Sequence, residues 1–255
     1  MKKLLLALLL LVVASVGGSV VFYKYVKSTL PNIASIQDYS PLLVSSVYDR
    51  NGKKIGEFTR ERRTLISYEK IPKMLINAFL AAEDDQFFAH KGVNYTAILR
   101  ATLANLRAGR TVQGGSTITQ QVAKTFFLSS EKSLLRKARE ALLALQLEEK
   151  LGKEEILYLY LNQIFFGQGA YGIVQAAETY FRKKVEELSL GEAAILAGLP
   201  KAPSAFTPVR NPSRSKERQA YILRRMAELR MISSEEAENE IQKPLLVHLR
   251  QNYDE

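Results

Sequence analysis

The chain has 255 residues, with 36 basic against 26 acidic side chains, a formal net charge of +10 and no cysteine. Disulfides and thiolate metal sites are therefore excluded, and the length suits one membrane segment plus one domain. The positive charge fits an anionic partner: nucleic acid, an acidic membrane surface or a phosphorylated substrate.

Leu4 to Tyr23 carries no charged residue. Twenty helical residues rise ~30 Å, the hydrocarbon thickness of a bilayer. Lys2 and Lys3 precede the run, and Lys24 and Lys27 follow it, so the positive-inside rule gives no orientation. The small residues of Ala14–Ser19 would suit a cleaved signal peptide. The apolar run continues through Val20, Val21 and Phe22, however, which favours an uncleaved anchor over residues 1–27. Residues 28–58 read as a linker and a β-hairpin. Leu42–Tyr48 and Lys53–Phe58 are β-prone and flank Asp49-Arg50-Asn51-Gly52, a strong hairpin signal. The hairpin carries no chemistry of its own; it packs on the main domain or links it to the membrane.

From Pro72 the pattern is helical. Pro72 suits a first turn, and the apolar run Ile76 to Ala82 reads as buried helix. Three acids end it: Glu83, Asp84 and Asp85. An acid at a helix end is commonly solvated surface. Glu83 also follows an apolar face directly, and a carboxylate that loses hydration has its pKa raised toward the range of a general base. Both readings stand on this stretch alone.

Asn94 caps a helix over Tyr95–Ala108, with Gly109 closing it. Gly114-Gly115-Ser116-Thr117-Ile118-Thr119-Gln120-Gln121 follows, with Lys124 after it. Two glycines let backbone approach a ligand, Ser116 can cap the next helix, and N–H groups at a helix start attract anions. The spacing is not that of a P-loop; an ordinary Gly-Gly turn into a polar helix is the other reading, though so many Ser, Thr and Gln residues make a poor bland helix, and both stand. Ser133 caps a long helix to about Leu151, closed by Gly152, with Leu134, Leu135, Ala138, Ala141, Leu142 and Leu145 facing the core. On another face, Arg136, Lys137 and Glu140 form either a surface ion-pair cluster or a basic cradle with one carboxylate in it. Further helices cover Lys153–Asn162, a run opened by the capping box at Ser189, a basic amphipathic helix from Asn211-Pro212 to about Arg230, and a last one from Ser234. The domain is mainly α, with the hairpin as its chief β element.

Taken together, these stretches carry a resemblance. Glu83-Asp84-x-x-Phe87-x-x-His90-x-Gly92, Gly114-x-Ser116-Thr117-x-Thr119-Gln120-Gln121-x-x-Lys124, Arg136-Lys137-x-x-Glu140 and Lys153-x-x-Ile156-Leu157-x-x-Tyr160-Leu161-Asn162 stand in the order of the peptidoglycan glycosyltransferase signatures. The similarity extends through Phe166-Gly167-x-Gly169-Ala170-Tyr171-Gly172 and Leu199-Pro200-x-Ala202-Pro203, and covers about Leu42 to Gln242. The chain thus resembles the family 51 glycosyltransferases, and its hairpin is similar to that of class A penicillin-binding proteins of the 1A type. The resemblance implies a mainly α, lysozyme-like, two-lobed domain over residues 59–243. Class A proteins continue into a transpeptidase domain, so residues 244–255 are expected to begin a linker to one. Ser129-x-x-Lys132 and Ser213-x-x-Lys216 match an acylation tetrad in letters only, with no Lys-Thr-Gly downstream.

The implied reaction polymerises lipid II into a β-1,4 glycan with release of undecaprenyl pyrophosphate. On the same resemblance Glu83, Glu140 and Asp84 are catalytic. His90, Gly115, Ser116, Thr117, Gln120, Gln121, Lys124, Lys132, Arg136, Lys137, Arg139 and Asn162 bind substrate. Glu140 either orients the cations or stabilises positive charge at the sugar. No cofactor is required; a divalent cation, magnesium or manganese, can assist at the pyrophosphate, and no ligand set for one is readable. The partners are lipid II, the growing glycan, the bacterial inner membrane and other cell-wall synthesis proteins, with no nucleic acid. The catalytic domain is expected on the periplasmic side of a single-pass anchor. A lytic glycoside hydrolase of similar fold is the main alternative. A nucleic-acid module would also explain the charge, but no basic stretch is interleaved with stacking aromatics. An inactive membrane scaffold is disfavoured by the intact Glu83.

Overall fold

Residues 2–33, 45–51, 54–58, 64–110, 114–128, 131, 133–245 and 247 are described by a computed structural model. The first helix, α1 (Lys2–Ser28), is long and apolar enough over Leu9–Ser28 to cross a membrane. It runs longer than the apolar stretch alone predicts. Its last turn is part of the domain: Val26 is buried, and α1 packs on α5. The expected boundary between anchor and linker after Lys27 therefore cuts through a packed contact.

The hairpin forms as expected, from β1 (Ser45–Tyr48) and β2 (Lys54–Phe58), antiparallel, with Val47 opposite Gly56 and a bulge at Tyr48. The Asp49 carboxylate accepts from the Asn51 amide at 2.8 Å within the turn.

Helix α2 (Lys73–Glu83) starts after Pro72 and is apolar on nearly every side, as a central helix must be. Leu75, Ala78 and Phe79 are wholly buried. The Phe79 ring meets the Tyr160 and Phe166 rings edge-on at 6.1 and 5.9 Å, so one side chain joins three segments. Burying such a ring stabilises by about 1.5–3 kcal/mol. The helices fall into two packed groups. One holds α8 (Leu190–Gly198), α9 (Pro203–Phe206), α10 (Pro212–Glu228) and α11 (Ser234–Gln242), and meets α2 through α8 and α10. The other holds α4 (Ile118–Phe127), α5 (Leu134–Lys150) and α6 (Lys153–Gln163), and meets α2 at Tyr160 and Gln121. Glu83, the last residue of α2, comes out between them.

Helix α3 (Tyr95–Ala108) is bounded as predicted: the Asn94 side chain accepts from the Ala97 amide, and Gly109 takes the left-handed conformation at φ 62°. It buries only Ala101 and leaves Tyr95, Leu99, Leu103 and Leu106 exposed. Helix α7 (Ile173–Phe181) follows a second small sheet, β3 (Phe165–Gly167) paired with β4 (Ala170–Tyr171). This sheet was not expected. Its strands are too short for alternation to register, and Gly167, Gln168 and Gly169 all turn at positive φ.

Two boundary readings are corrected. Thr117, not Ser116, caps α4, through a box with Gln120. Gly152 opens α6 at φ −69° instead of closing α5 in the left-handed region. The last helix does start at Ser234, with Ser233 as its cap. A third correction bears on the site. Helix α5 buries Glu140, Leu143, Ala144 and Leu147, while Leu134 is exposed and Leu135, Ala138, Ala141, Leu142 and Leu145 are only half-buried. Apolar residues occupy both faces of this helix, so periodicity alone could not choose between them.

Candidate active site

The triplet at the end of α2 sends its three carboxylates in different directions. Glu83 keeps helical backbone; Asp84 leaves it at φ −160° and ψ 79°. Glu83 is half-buried and accepts from the Gln121 side-chain amide at 2.8 Å. Burial raises its carboxyl pKa, and the neighbouring Asp84 adds to the rise; the Gln121 bond, Arg218 and Lys201 oppose it. Asp84 is buried and fully engaged. One oxygen accepts the Ile118 amide at the start of α4 at 3.0 Å, and both lie within 3.1 Å of His90 Nε2. Asp85 pairs with Arg225 of α10.

The second motif is fixed from behind. Thr117 Oγ1 donates to the Gly92 carbonyl at 2.6 Å, and the helix cap closes between Thr117 and Gln120: the Thr117 amide donates to Gln120 Oε1, and the Gln120 amide to Thr117 Oγ1. Both are buried. Gly115 makes room for α3, since a Cβ there would lie 3.0 Å from the Ile98 Cα. Close approach at this glycine is thus to a helix. Ser116 and Gln121 face the site.

Glu140, 3% exposed, lies between Arg136 and Lys137. Lys137 Nζ donates to Glu140 Oε2 at 2.8 Å and to Ser116 Oγ at 2.6 Å, tying the third motif to the second. Burial lowers the Lys137 pKa, and the positive charges of Arg136 and then Lys124 lower it further. Three cations thus converge, with a single buried carboxylate between two of them. A surface ion-pair cluster would have left Glu140 exposed.

Arg139 and Asn162 make contacts of their own. Arg139 donates from Nε to Thr29 Oγ1 at 3.1 Å, at the end of α1. With Arg136 it lines a cavity of about 370 Å³ whose apolar walls include Leu30, Phe127 and Leu128. Asn162 is buried and works as a clasp: its side chain accepts from the Ile66 amide at 2.8 Å and donates to the Ile66 and Tyr158 carbonyls. Lys132 lies outside the described residues. Among the described residues no group of three or more His, Asp or Glu side chains is placed to hold a metal ion, and Glu140 is already shared by two cations.

A family model described as Transglycosylase matches residues 51–227, which includes every motif built above. The chain belongs to the transglycosylase family. Penicillin-binding protein 1A of Aquifex aeolicus (strain VF5) is 46% identical over 253 residues, covering 99% of this chain and 35% of that protein. Penicillin-binding protein 1A of Neisseria flavescens is 49% identical over 216 residues, 85% of this chain and 27% of that protein. A 2.6 Å crystal structure of penicillin-binding protein 1A from Haemophilus influenzae is similar with a TM-score of 0.49 and 29% identity, over 84% of this chain and 22% of that one. The chain thus spans 27% to 35% of the length of these curated relatives.

Within this transglycosylase domain, sequence reading missed four polar residues. Glu148 accepts from Thr119 Oγ1 at 2.6 Å and Lys153 Nζ at 2.7 Å, and faces His90 Nδ1 at 3.9 Å. Lys153 also donates to the His90 carbonyl at 2.7 Å and lies over the Phe87 ring. Its place at the head of the fourth motif was a signal. Lys201 stood as the unassigned residue of Leu199-Pro200-x-Ala202-Pro203, and Arg218 within a helix read only as basic and amphipathic. No local pattern brings either to Glu83.

Proposed function

We propose that the domain is a peptidoglycan glycosyltransferase that polymerises lipid II by a single inverting displacement. The observation that carries this is the convergence of Lys124, Arg136 and Lys137, joined to the half-buried Glu83 through one element: Ser116 at the head of α4 meets Lys137, and Gln121 of α4 holds Glu83. Glu83 takes the proton from the acceptor GlcNAc 4-hydroxyl. That oxygen attacks the anomeric carbon of the donor MurNAc, the bond to undecaprenyl pyrophosphate breaks, and a β-1,4 link forms. A raised carboxyl pKa suits such a base at neutral pH. The cations stabilise the charge that grows on the departing pyrophosphate. A divalent cation, magnesium or manganese, would add to the charge neutralisation that these residues supply.

Glu140, held by Arg136 and Lys137, orients the cations and keeps their repulsion in check. Asp84, with no free oxygen, sets the positions of His90 and α4. The apolar α1 and the exposed apolar side of α3 support action at a membrane surface, as a lipid substrate requires. We place the domain on the periplasmic side of a single-pass anchor, near other cell-wall synthesis proteins.

The test is glycan polymerisation from labelled lipid II in detergent. Chains should lengthen, and Glu83→Gln should lower turnover by about 2–4 orders of magnitude, the scale of a general base, while lipid II still binds. Because burial raises the folded pKa of Glu83, its ionised form costs stability, and that cost grows as pH rises through the interval between the unfolded and folded values. Glu83→Gln should therefore melt no lower than wild type at neutral pH. Near-normal turnover removes Glu83 from the role; shortening of added glycan favours a lytic enzyme.

A further inference from the structure

Glu83 is poorly placed to carry a charge. It is half-buried, it adjoins Asp84, and it sits at the C-terminal end of α2, where the helix dipole disfavours an anion. The last carbonyls of α2 also lack intrahelical partners. One residue answers both problems. Arg218 of α10 donates from Nη2 to the Ala82 carbonyl at 3.4 Å, one residue before Glu83, and its charge acts on the Glu83 carboxylate.

The surroundings of Arg218 are fitted to it. Gly198 of α8 leaves room for its stem: a Cβ there would lie 2.8 Å from Arg218 Cγ. The guanidinium carbon stands 4.9 Å from the Tyr221 ring centre and 5.8 Å from that of Phe206. A planar, weakly hydrated cation suits aromatic faces and a carbonyl better than an ammonium does. Its Nε is buried without a protein partner. The other groups facing Glu83 are Gln121 from α4, Tyr160 from α6, Lys201 after α8, and Asp84 on its own turn. Lys201 is exposed, which leaves Arg218 as the less screened cation.

We infer that Arg218 is a positioning residue for Glu83, fixing the last turn of α2 through the Ala82 carbonyl and setting a cation against the turn that carries the neighbouring carboxylate. The inference rests on the reading of Glu83 as the base, and it adds what makes that base available.

The test reads Glu83 directly. Protein with ¹³C-labelled glutamate carboxyls, in detergent, gives a Glu83 resonance assigned by its loss in Glu83→Gln, and its titration midpoint is followed. In Arg218→Gln the midpoint should rise by about one pH unit or more. Arg218→Lys should recover part of the shift. Gly198→Ala keeps the charge but displaces the side chain, and should move the midpoint the same way by less. Arg225→Gln breaks the other tie between α10 and the end of α2, through Asp85, and should leave the midpoint in place. An unmoved midpoint in folded Arg218→Gln overturns the inference, as does an equal shift in Arg225→Gln. If Arg218→Gln does not fold, an unmoved midpoint in Gly198→Ala overturns it. The acid limb of lipid II polymerisation should follow the midpoint. A midpoint that moves without the limb upholds the Arg218–Glu83 coupling and refutes Glu83 as the base.

Discussion

Replacing Lys137 by alanine separates the cradle from an ordinary helix surface. An exposed ion pair three residues apart on a helix contributes a few tenths of a kcal/mol. The Lys137 side chain is 46% exposed, and Glu140 retains Arg136 after the substitution. The loss of stability should therefore stay within about 1 kcal/mol, a fall of roughly 2–4 °C in melting temperature for a domain of this size. The kinetic effect should be far larger. A cation aimed at charge that develops on the leaving group contributes about 2.7–4 kcal/mol to the transition state, so turnover should drop by about 10²–10³. Polymerisation rate from labelled lipid II and melting by circular dichroism decide the matter, with Lys216→Ala as the control. Lys216 lies on α10 and donates to the Lys243 carbonyl. It should change activity little.

The pH profile gives a second reading of the same residue. Burial and the charges of Arg136 and Lys124 hold the Lys137 pKa below the ordinary lysine value. At neutral pH the ammonium is charged in both the folded and unfolded chains, so the shift costs stability there. That cost is relieved as pH rises from the folded pKa to the unfolded one, where the unfolded chain binds more protons. Catalysis moves the other way: the alkaline limb of the rate should begin below the ordinary lysine range, and Lys137→Arg should push it up. A Lys137→Ala variant within about fivefold of wild-type turnover, a few degrees less stable, would make the long helix mere scaffold and leave the phosphate site unlocated.

Gly92 takes φ 83°, and a Cβ there would lie 2.6 Å from the Ala144 carbonyl oxygen. Gly92→Ala should therefore cost at least about 1–2 kcal/mol in urea unfolding from the backbone alone; an unchanged midpoint would refute the contact. Asn162→Ala should lower stability by about 1–3 kcal/mol through the lost bonds to Ile66 and Tyr158, with KM for lipid II little changed. A raised KM with intact stability would return Asn162 to the substrate. Deletion through Tyr23 should leave a folded domain that polymerises in detergent but works poorly on lipid II in vesicles. Deletion through Ser28, which also removes the buried Val26, should in addition lower the melting temperature.

How much of this was legible depended on the range of the interaction. Asn94 and Gly109 marked both ends of α3 because caps act over three or four residues, and the motifs were readable for the same reason. The face of α5 was not, since Leu134, Leu135 and Leu142 compete with Leu143 and Leu147 for the core and only tertiary packing decides. Burial of Glu140 follows from that choice, and with it the distinction between a cradle and a surface cluster. Arg218 and Glu148 escaped entirely, because their partners lie many residues away and nothing local announces them. The short β3–β4 sheet escaped because turn residues, not strand alternation, make it.

The triplet Glu83-Asp84-Asp85 shows why three like residues in a row need not share one chemistry. In water the Glu and Asp carboxyls differ in pKa by only about half a unit, so residue type does not distinguish them. What differs is the partner each meets. Asp84 turns back to the N-terminal end of α4, where amide groups and the helix dipole favour an anion, and its oxygens are occupied. Asp85 turns to Arg225 of α10. Both carboxylates are thus taken up by protein partners. Glu83 stays on the unfavourable end of α2 with one amide bond from Gln121, so its carboxylate is the one with basicity to give. The positive charges of Arg218 and Lys201 then limit how far that basicity rises, a balance that suits the general base proposed for Glu83.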